Sequence, residues 1–404
     1  MRDGSRPVTR CGIDSVEISR IERLLREHSP DDLQKLFSSE ELRDSGEGPG
    51  RAASLAARLA AKEACLKLFP RETALGHIGP EDFAVLRDGY GAPQVTCSPT
   101  AREVLDRYRL RTIALSLTHA STSASAIAVA EPAQVEVPLT GRLIYHLLPV
   151  RRRVVLSNLR RVFGSVVTDA EIRRLAQAHY AHLGRLVVEF LRFYWLSDAR
   201  RAAMVRVENL EAILRAADQG KGLLVLTGHF GNWEVATLAG ISTFPQYRGR
   251  FHFVRRPLQP RWFDALVTRR FRRAGFGVLP KRGSLEAILQ RLTAGDAVVY
   301  VFDQHAGGSD GIPVEFFGHP AGTFRSLAIL ALATGAPVIP AASWREPDGR
   351  HVLRFEEALP LVECENTTEA IRKNTRAYNA ALERLVLRHP EQWFWVHRRW
   401  KGGD

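Results

Sequence analysis

Cysteine is scarce in this chain of 404 residues: four, Cys11, Cys65, Cys97 and Cys364, with no CxxC pair. Spacings so wide and irregular suggest neither a zinc site nor a disulfide framework, and read as reduced thiols of the cytoplasm. Long apolar runs are also lacking. The first eleven residues carry Arg and Asp but no apolar stretch, which argues against a signal peptide. The longest apolar run, 326–342, is broken by Thr334, Gly335 and two prolines, so it reads as a buried helix and a buried strand rather than a membrane span. No zinc finger, RNA-binding aromatic motif or basic zipper is recognisable, so nucleic acid is not an expected partner. Internal repeats and low-complexity segments are absent too.

What is present is enough apolar residue, 45%, with 25% charged, for a folded protein of two or three domains at roughly 150 residues each. Charge is unevenly placed. Residues 1–134 hold 18 Lys/Arg against 19 Asp/Glu, while the remainder holds 39 against 25, so the whole basic excess lies in the second part. A basic face attracts anionic lipid headgroups, acidic proteins, phosphorylated substrates or nucleic acid. The pattern changes at EPAQVEVP (131–138), a candidate linker. Before it stand a strand ending CGIDSVEI, the Ala/Leu-rich helix of 51–69, and two β-type runs, RTIALSLTH and ASAIAVA, spaced as a hairpin. Beyond it, 142–220 reads mostly as long amphipathic helices. Strands then alternate with helices, including one from Phe324, which predicts an α/β layered domain with a mixed or parallel sheet.

In the first part, Asp14 ends a strand and Glu63 lies in the Ala-rich helix beside Arg58, Lys62 and Lys67. Two carboxylates among three cations suit a Mg²⁺-bound pyrophosphate, since Mg²⁺ takes one or two carboxylates plus substrate phosphates. Glu63 and Lys67, spaced i, i+4, are equally a solvated helix face. The strings GIDSVEISRIE (12–22), FSSEEL (37–42), RLAAKEACLK (58–67), DGYGAP (88–93) and SLTHASTSASAIAVA (116–130) follow the order and spacing of holo-acyl-carrier-protein synthases. This part of the chain therefore resembles that family, the 4′-phosphopantetheinyl transferases. The resemblance implies an α+β domain over 1–132, Mg²⁺ at Asp14 and Glu63, coenzyme A phosphates on Arg58, Lys62 and Lys67, and His119 close to the substrate. It also implies transfer of 4′-phosphopantetheine from coenzyme A to an acyl carrier protein serine, and a homotrimer with active sites between subunits. Ser15 and Thr118 depart from the usual family residues, and neither removes a ligand.

In the second part, GLLVLTGHFGNWE (222–234) places His229 just past an apolar strand, with Glu234 in the following helix. Active sites of α/β sheets gather at strand ends, and an imidazole there acts as general base when a carboxylate orients it. A spacing of five is not a same-face helix pair, so Glu234 would have to reach back to His229. A histidine in this position is equally a structural one. The strings RRRVVLSNLRRVF (151–163), TGHFGNWE, VRRPLQP (254–260), VFDQHAG (301–307), VEFFGHPAGTFRSLAILALATGAPVIP (314–340) and HPEQWFWVHRRWK (389–401) resemble lipid A biosynthesis acyltransferases. That resemblance implies an α/β acyltransferase domain over 140–404. His229 would deprotonate a lipid or glycolipid hydroxyl that attacks an acyl-carrier thioester, with Glu234 holding His229. Arg256, Asp303, Gln304 and Arg325 would lie toward the acceptor, although Asp303 could be a turn residue and Arg325 a surface arginine.

Lipid A acyltransferases usually carry a membrane-anchoring helix before the RRR…NL block. Here that position holds RLIYHLLPV (142–150), too short to span, so membrane contact should be peripheral. Trp393, Trp395 and Trp400 among Arg398, Arg399 and Lys401 fit an interfacial tail, or a buried aromatic terminal helix with one basic face. Together these features predict a bifunctional transferase of lipid and fatty acid biosynthesis, cytoplasmic and peripheral on the inner face of the cell membrane. Two rivals stay open. The first part could be a non-catalytic carrier-docking module, and the basic part a surface binder without catalysis.

Overall fold

The computed structural model describes residues 9–401 other than 75, 134, 149, 194, 242–244, 256, 258 and 282, and the backbone alone of 73, 198, 246 and 263. The chain forms two compact units, one of 1–134 with Phe163–Glu171, the other of 135–162 with 172–404.

The first unit contains β1 (Arg10–Glu17), β2 (Phe83–Arg87), β3 (Pro93–Cys97), β4 (Leu110–His119) and β5 (Ser123–Pro132). β1, β5 and β4 make an antiparallel sheet in that order, and β2 pairs with β3. The two runs expected as a hairpin pair as β4 and β5. Alanine explains the packing. Alternate residues of β5, Ala124, Ala126, Ala128 and Ala130, are buried against the helix Arg51–Leu66, which buries Ala56, Ala60, Ala61 and Ala64 in return. Side chains this small let helix and sheet approach closely. Gly12 sits at the tightest point, where a Cβ would lie 2.0 Å from the Ala64 carbonyl oxygen, so no larger residue fits.

The second unit contains β6 (Val205–Glu208), β7 (Leu223–Thr227), β8 (Phe251–Arg255), β9 (Phe276–Pro280), β10 (Ala297–Val301), β11 (Gly311–Phe316), β12 (His319–Phe324), β13 (Val338–Arg345) and β14 (His351–Phe355). Seven of them form one sheet, ordered β6-β14-β13-β7-β10-β8-β9. Every neighbouring pair in it is parallel except β13 with β14. The central strands β7 and β10 are apolar and buried along nearly their whole length, as strands covered on both faces must be. The sheet is mixed and the domain α/β, as the alternation predicted.

The stretch 142–220 is mostly helical, as expected, with the edge strand β6 among its helices. One local expectation is corrected. The helix placed from Phe324 begins at Ser326, because Phe324 closes the β11–β12 hairpin. That hairpin turns on Phe317 and Gly318, both at positive φ (53° and 73°), the geometry of a tight two-residue loop. Among the described residues no helix is long and apolar enough to cross a membrane.

Candidate active sites

In the first unit the close approach at Gly12 brings β1 against the C-terminal half of the helix, so Asp14 and Glu63 face each other. Burial raises the Glu63 carboxyl above its ordinary value and the Asp14 charge adds to this, with Arg20 and Lys67 pulling it down. Lys67 donates to Asp14 Oδ1 at 2.7 Å and to the Ile13 carbonyl at 3.0 Å. Two mutually repelling carboxylates with a cation beside them fit Mg²⁺ held partly by substrate phosphates. No cluster of three His, Cys, Asp or Glu suited to a metal occurs among the described residues. His119 is exposed at the end of β4, level with Val16 by register but two strands from it.

Arg58 and Lys62 are used differently from the phosphate contacts the resemblance implies. Arg58 pairs with Asp44 and donates to the Val85 carbonyl at 3.1 Å; Lys62 is fully buried, 2.9 Å from Glu41. Glu41 also accepts from the backbone N–H of Ser38 and of Val85, closing a capping box on the helix Ser39–Asp44. The FSSEEL string thus supplies an internal anchor. Helical spacing is the reason: Arg58 and Lys62, at i and i+4, share the face toward β2, while Glu63 and Lys67 share the face toward β1.

In the second unit β7 and β10 are parallel neighbours with Thr227 opposite Val301. Two residues further along each strand stand His229 and Asp303, which this register brings side by side. Asp303 accepts from His229 Nδ1 at 2.9 Å, from the His229 backbone N–H at 2.7 Å and from Trp393 Nε1 at 2.9 Å. Gly228 makes room, since a Cβ there would lie 2.9 Å from the Asp303 carboxyl carbon. Burial alone would raise the Asp303 carboxyl, but the electrostatic pull of His229 and these hydrogen bonds outweigh it and hold it at about 2. Asp303 is therefore a carboxylate, His229 carries its proton on Nδ1, and Nε2 is the nitrogen left to act as base.

Glu234 was the carboxylate expected to hold His229, and Asp303 does so instead. A strand neighbour meets the ring at Nδ1, whereas Glu234 belongs to the next helix, Trp233–Gly240, whose N-cap Asn232 accepts from the Val235 N–H. Burial pushes Glu234 up to about 7, against the Arg255 charge. Glu234, His229 and Gln304 all line one apolar cavity of about 300 Å³, walled by Phe251, Phe253, Phe271 and Phe276. Gln304 also lies 3.2 Å from His397 Nε2. Arg325 is exposed at the start of the helix Ser326–Thr334, away from that cavity's lining. Arg256 lies outside the described residues.

The C-terminal segment was read as an interfacial tail or as a buried aromatic terminal helix with one basic face; its indoles are buried, as the second reading had it, but the segment is not a helix. Trp393, Trp395, Trp400 and Arg399 are buried, and beyond the 3₁₀ turn Pro390–Gln392 the segment is irregular. Asn158 of the RRR…NL block donates to the Trp395 and His397 carbonyls at 2.8 and 2.7 Å, folding the segment back onto the site. Trp393, read only as a tail aromatic, and His397, not singled out in the sequence, are both residues of the site. The signal available was the buried-indole rule, that a Trp N–H in a core needs an acceptor.

Residues 133–402 match the family model of bacterial lipid A biosynthesis acyltransferases, and residues 10–128 that of the 4′-phosphopantetheinyl transferase superfamily. The Escherichia coli lipid A biosynthesis lauroyltransferase is 25% identical over 262 residues, 65% of this chain and 82% of that protein. A phosphatidylinositol mannoside acyltransferase of Mycolicibacterium smegmatis is 26% identical over 249 residues, 60% of this chain and 77% of that protein. The holo-[acyl-carrier-protein] synthase of Treponema denticola is 40% identical over 121 residues, 30% of this chain and 95% of that protein. The chain belongs to both families. It is a fusion of a phosphopantetheinyl transferase-like unit and a lipid acyltransferase-like unit, and its relatives in both halves are enzymes.

Proposed function

We propose that the chain is a bifunctional transferase serving acyl carrier protein twice. In the first unit, coenzyme A donates 4′-phosphopantetheine: a carrier serine oxygen bonds to phosphorus as the P–O bond to the nucleotide leaving group breaks, and the serine proton passes to solvent. Asp14 and Glu63 would hold Mg²⁺, which supplies neutralisation of phosphate charge when bound. Lys67 adds a cation beside them, and its present partner Asp14 keeps it in place. Residues Ile13 and Ile127 pair across the open face of the sheet and are exposed, the kind of face a second and third copy would cover; a homotrimer is proposed with this reading.

In the second unit, His229 Nε2 takes the proton of a lipid or glycolipid hydroxyl. The oxygen attacks the thioester carbonyl, the C–S bond breaks, and the thiol of the carrier arm leaves with the proton. Asp303 keeps the tautomer and stabilises the imidazolium, acting as a positioning residue. The observation that carries this reading is the Asp303–His229 pair at the head of an apolar cavity able to take part of an acyl chain. The basic excess of this half suits an acidic carrier and an anionic membrane surface, on which the protein would act peripherally from the cytoplasm.

The test is intact-mass measurement of an apo-carrier incubated with the full chain, coenzyme A and Mg²⁺. A gain of one phosphopantetheine arm, lost in Glu63→Gln, supports catalysis in the first unit. No gain across several apo-carriers reduces that unit to a docking module.

A further inference from the structure

Beside the apolar cavity lies a second one, of about 430 Å³, lined by Arg151, Gln304, His305, His397, Arg398 and Lys401. Gln304 lines both cavities, and the His397 ring centroid lies 5.3 Å from that of His229. The second cavity is thus separated from His229 by Gln304 and His397. Its wall bears three permanent cations and no carboxylate. Among the described residues no Asp or Glu forms an ion pair with Arg151, Arg398 or Lys401.

Contrast with the neighbouring Arg399 shows that this is more than a basic tail. Arg399 is buried and spent on the fold, donating to the Gly322 carbonyl at 2.6 Å and to Thr323 Oγ1 at 2.7 Å. Arg398 and Lys401, one and two positions to either side, stay exposed at the cavity. Arg151 comes from a different element. It is a non-glycine residue at φ 51°, a conformation that persists only where surrounding structure holds it, and its guanidinium donates to the Val396 carbonyl at 3.3 Å. His305 Nδ1 is buried without a hydrogen-bond partner. Burial lowers His397 below its ordinary value, and the charges of His229, Arg151 and Lys401 lower it further against Asp303. The cavity is a concentration of uncompensated positive charge beside neutral imidazoles.

We propose that this cavity is a phosphate subsite of the acyl transfer. It would hold a phosphate carried by one of the two substrates, so that the reacting end reaches His229 past Gln304. Planar guanidinium groups match phosphate oxygens in pairs and an ammonium adds charge without directional demand, a donor-only set suited to a phosphate. Two sources share that chemistry, the phosphodiester of the carrier's pantetheine arm and a phosphorylated headgroup on the acceptor. The inference rests on the acyl-transfer reading and adds to it the chemistry of the substrate.

The test compares matched substrates that differ only by phosphate: acyl-4′-phosphopantetheine against acyl-pantetheine, and a lysophosphatidate against the corresponding monoacylglycerol. Each pair is run with the full chain and with Arg398→Gln/Lys401→Gln. Arg151→Gln, from a different part of the chain, is the second variant. The expected result is a preference for the phosphorylated member of one pair by about tenfold or more in kcat/KM, falling toward unity in both variants. The pair showing it names the source. Equal turnover with and without phosphate in both pairs, or a preference unchanged in the variants, overturns the subsite and leaves acyl transfer standing. Absence of any His229-dependent thioester turnover overturns both.

Discussion

The two units use charged side chains in opposite ways. In the first, Arg58 and Lys62 sit in a motif that resembles a phosphate-binding helix, yet they are closed inside the fold on Asp44 and Glu41. In the second, Arg151, Arg398 and Lys401 belong to strings singled out for their resemblance or as a tail, with no ligand assigned to them, yet they line a cavity that shares Gln304 with the one holding His229. A cation's residue type and helical neighbours do not say whether its partner is protein or ligand. What says it is whether a carboxylate from another element reaches the same place.

The largest effect that would break this contrast is in the second unit. Asp303→Asn should lower kcat for acyl transfer by about 10³–10⁴ with KM little changed, because the imidazole loses the carboxylate that selects its tautomer. If Glu234 were the orienting carboxylate, Glu234→Gln would show that loss and Asp303→Asn would not; steady-state kinetics on both variants decides it.

Next in size is the buried pair of the first unit. Glu41→Gln leaves the Lys62 ammonium without its counter-charge and should destabilise that unit by about 3–5 kcal/mol, read from the denaturant midpoint. Lys67→Ala, at the exposed pair with Asp14, should cost under about 1 kcal/mol while reducing carrier modification. Equal destabilisation by the two would erase the distinction between an inward and an outward face of this helix.

An effect smaller than that of the buried pair concerns pH. Glu234 keeps its proton to about 7 in the folded chain against an ordinary 4.5, so the folded state binds the extra proton between those values. Its contribution to stability is then lost as pH rises through that window, a difference of about 2–3 kcal/mol. Melting curves at pH 5 and pH 8 should show the parent losing more than Glu234→Gln. Parallel losses would mean that Glu234 ionises normally and that its cavity is wet.

Much of this was legible along the chain. The β4–β5 hairpin followed from alternation and spacing, and the α/β unit from strands alternating with helices. His229 stood out because an imidazole after an apolar strand is where α/β chemistry gathers. Its partner was harder to see. Glu234 is five residues away and Asp303 is seventy-four, and nothing local indicates that β7 and β10 are neighbours in register. The tail was harder still, because Trp and Arg in mixture describe an interfacial segment and a buried one equally well. Burial of three indoles is a property of what folds over them.

The sequence by itself determined most of the element types and the two families to which the chain belongs, because periodicity and ordered motifs are local properties of a chain. Only the tertiary structure decided which charges meet. A hydrogen bond such as Trp393 to Asp303 or a pair such as Lys62 with Glu41 depends on a distance of a few ångströms between distant segments. That distance is set by strand register and by how closely helix and sheet can pack.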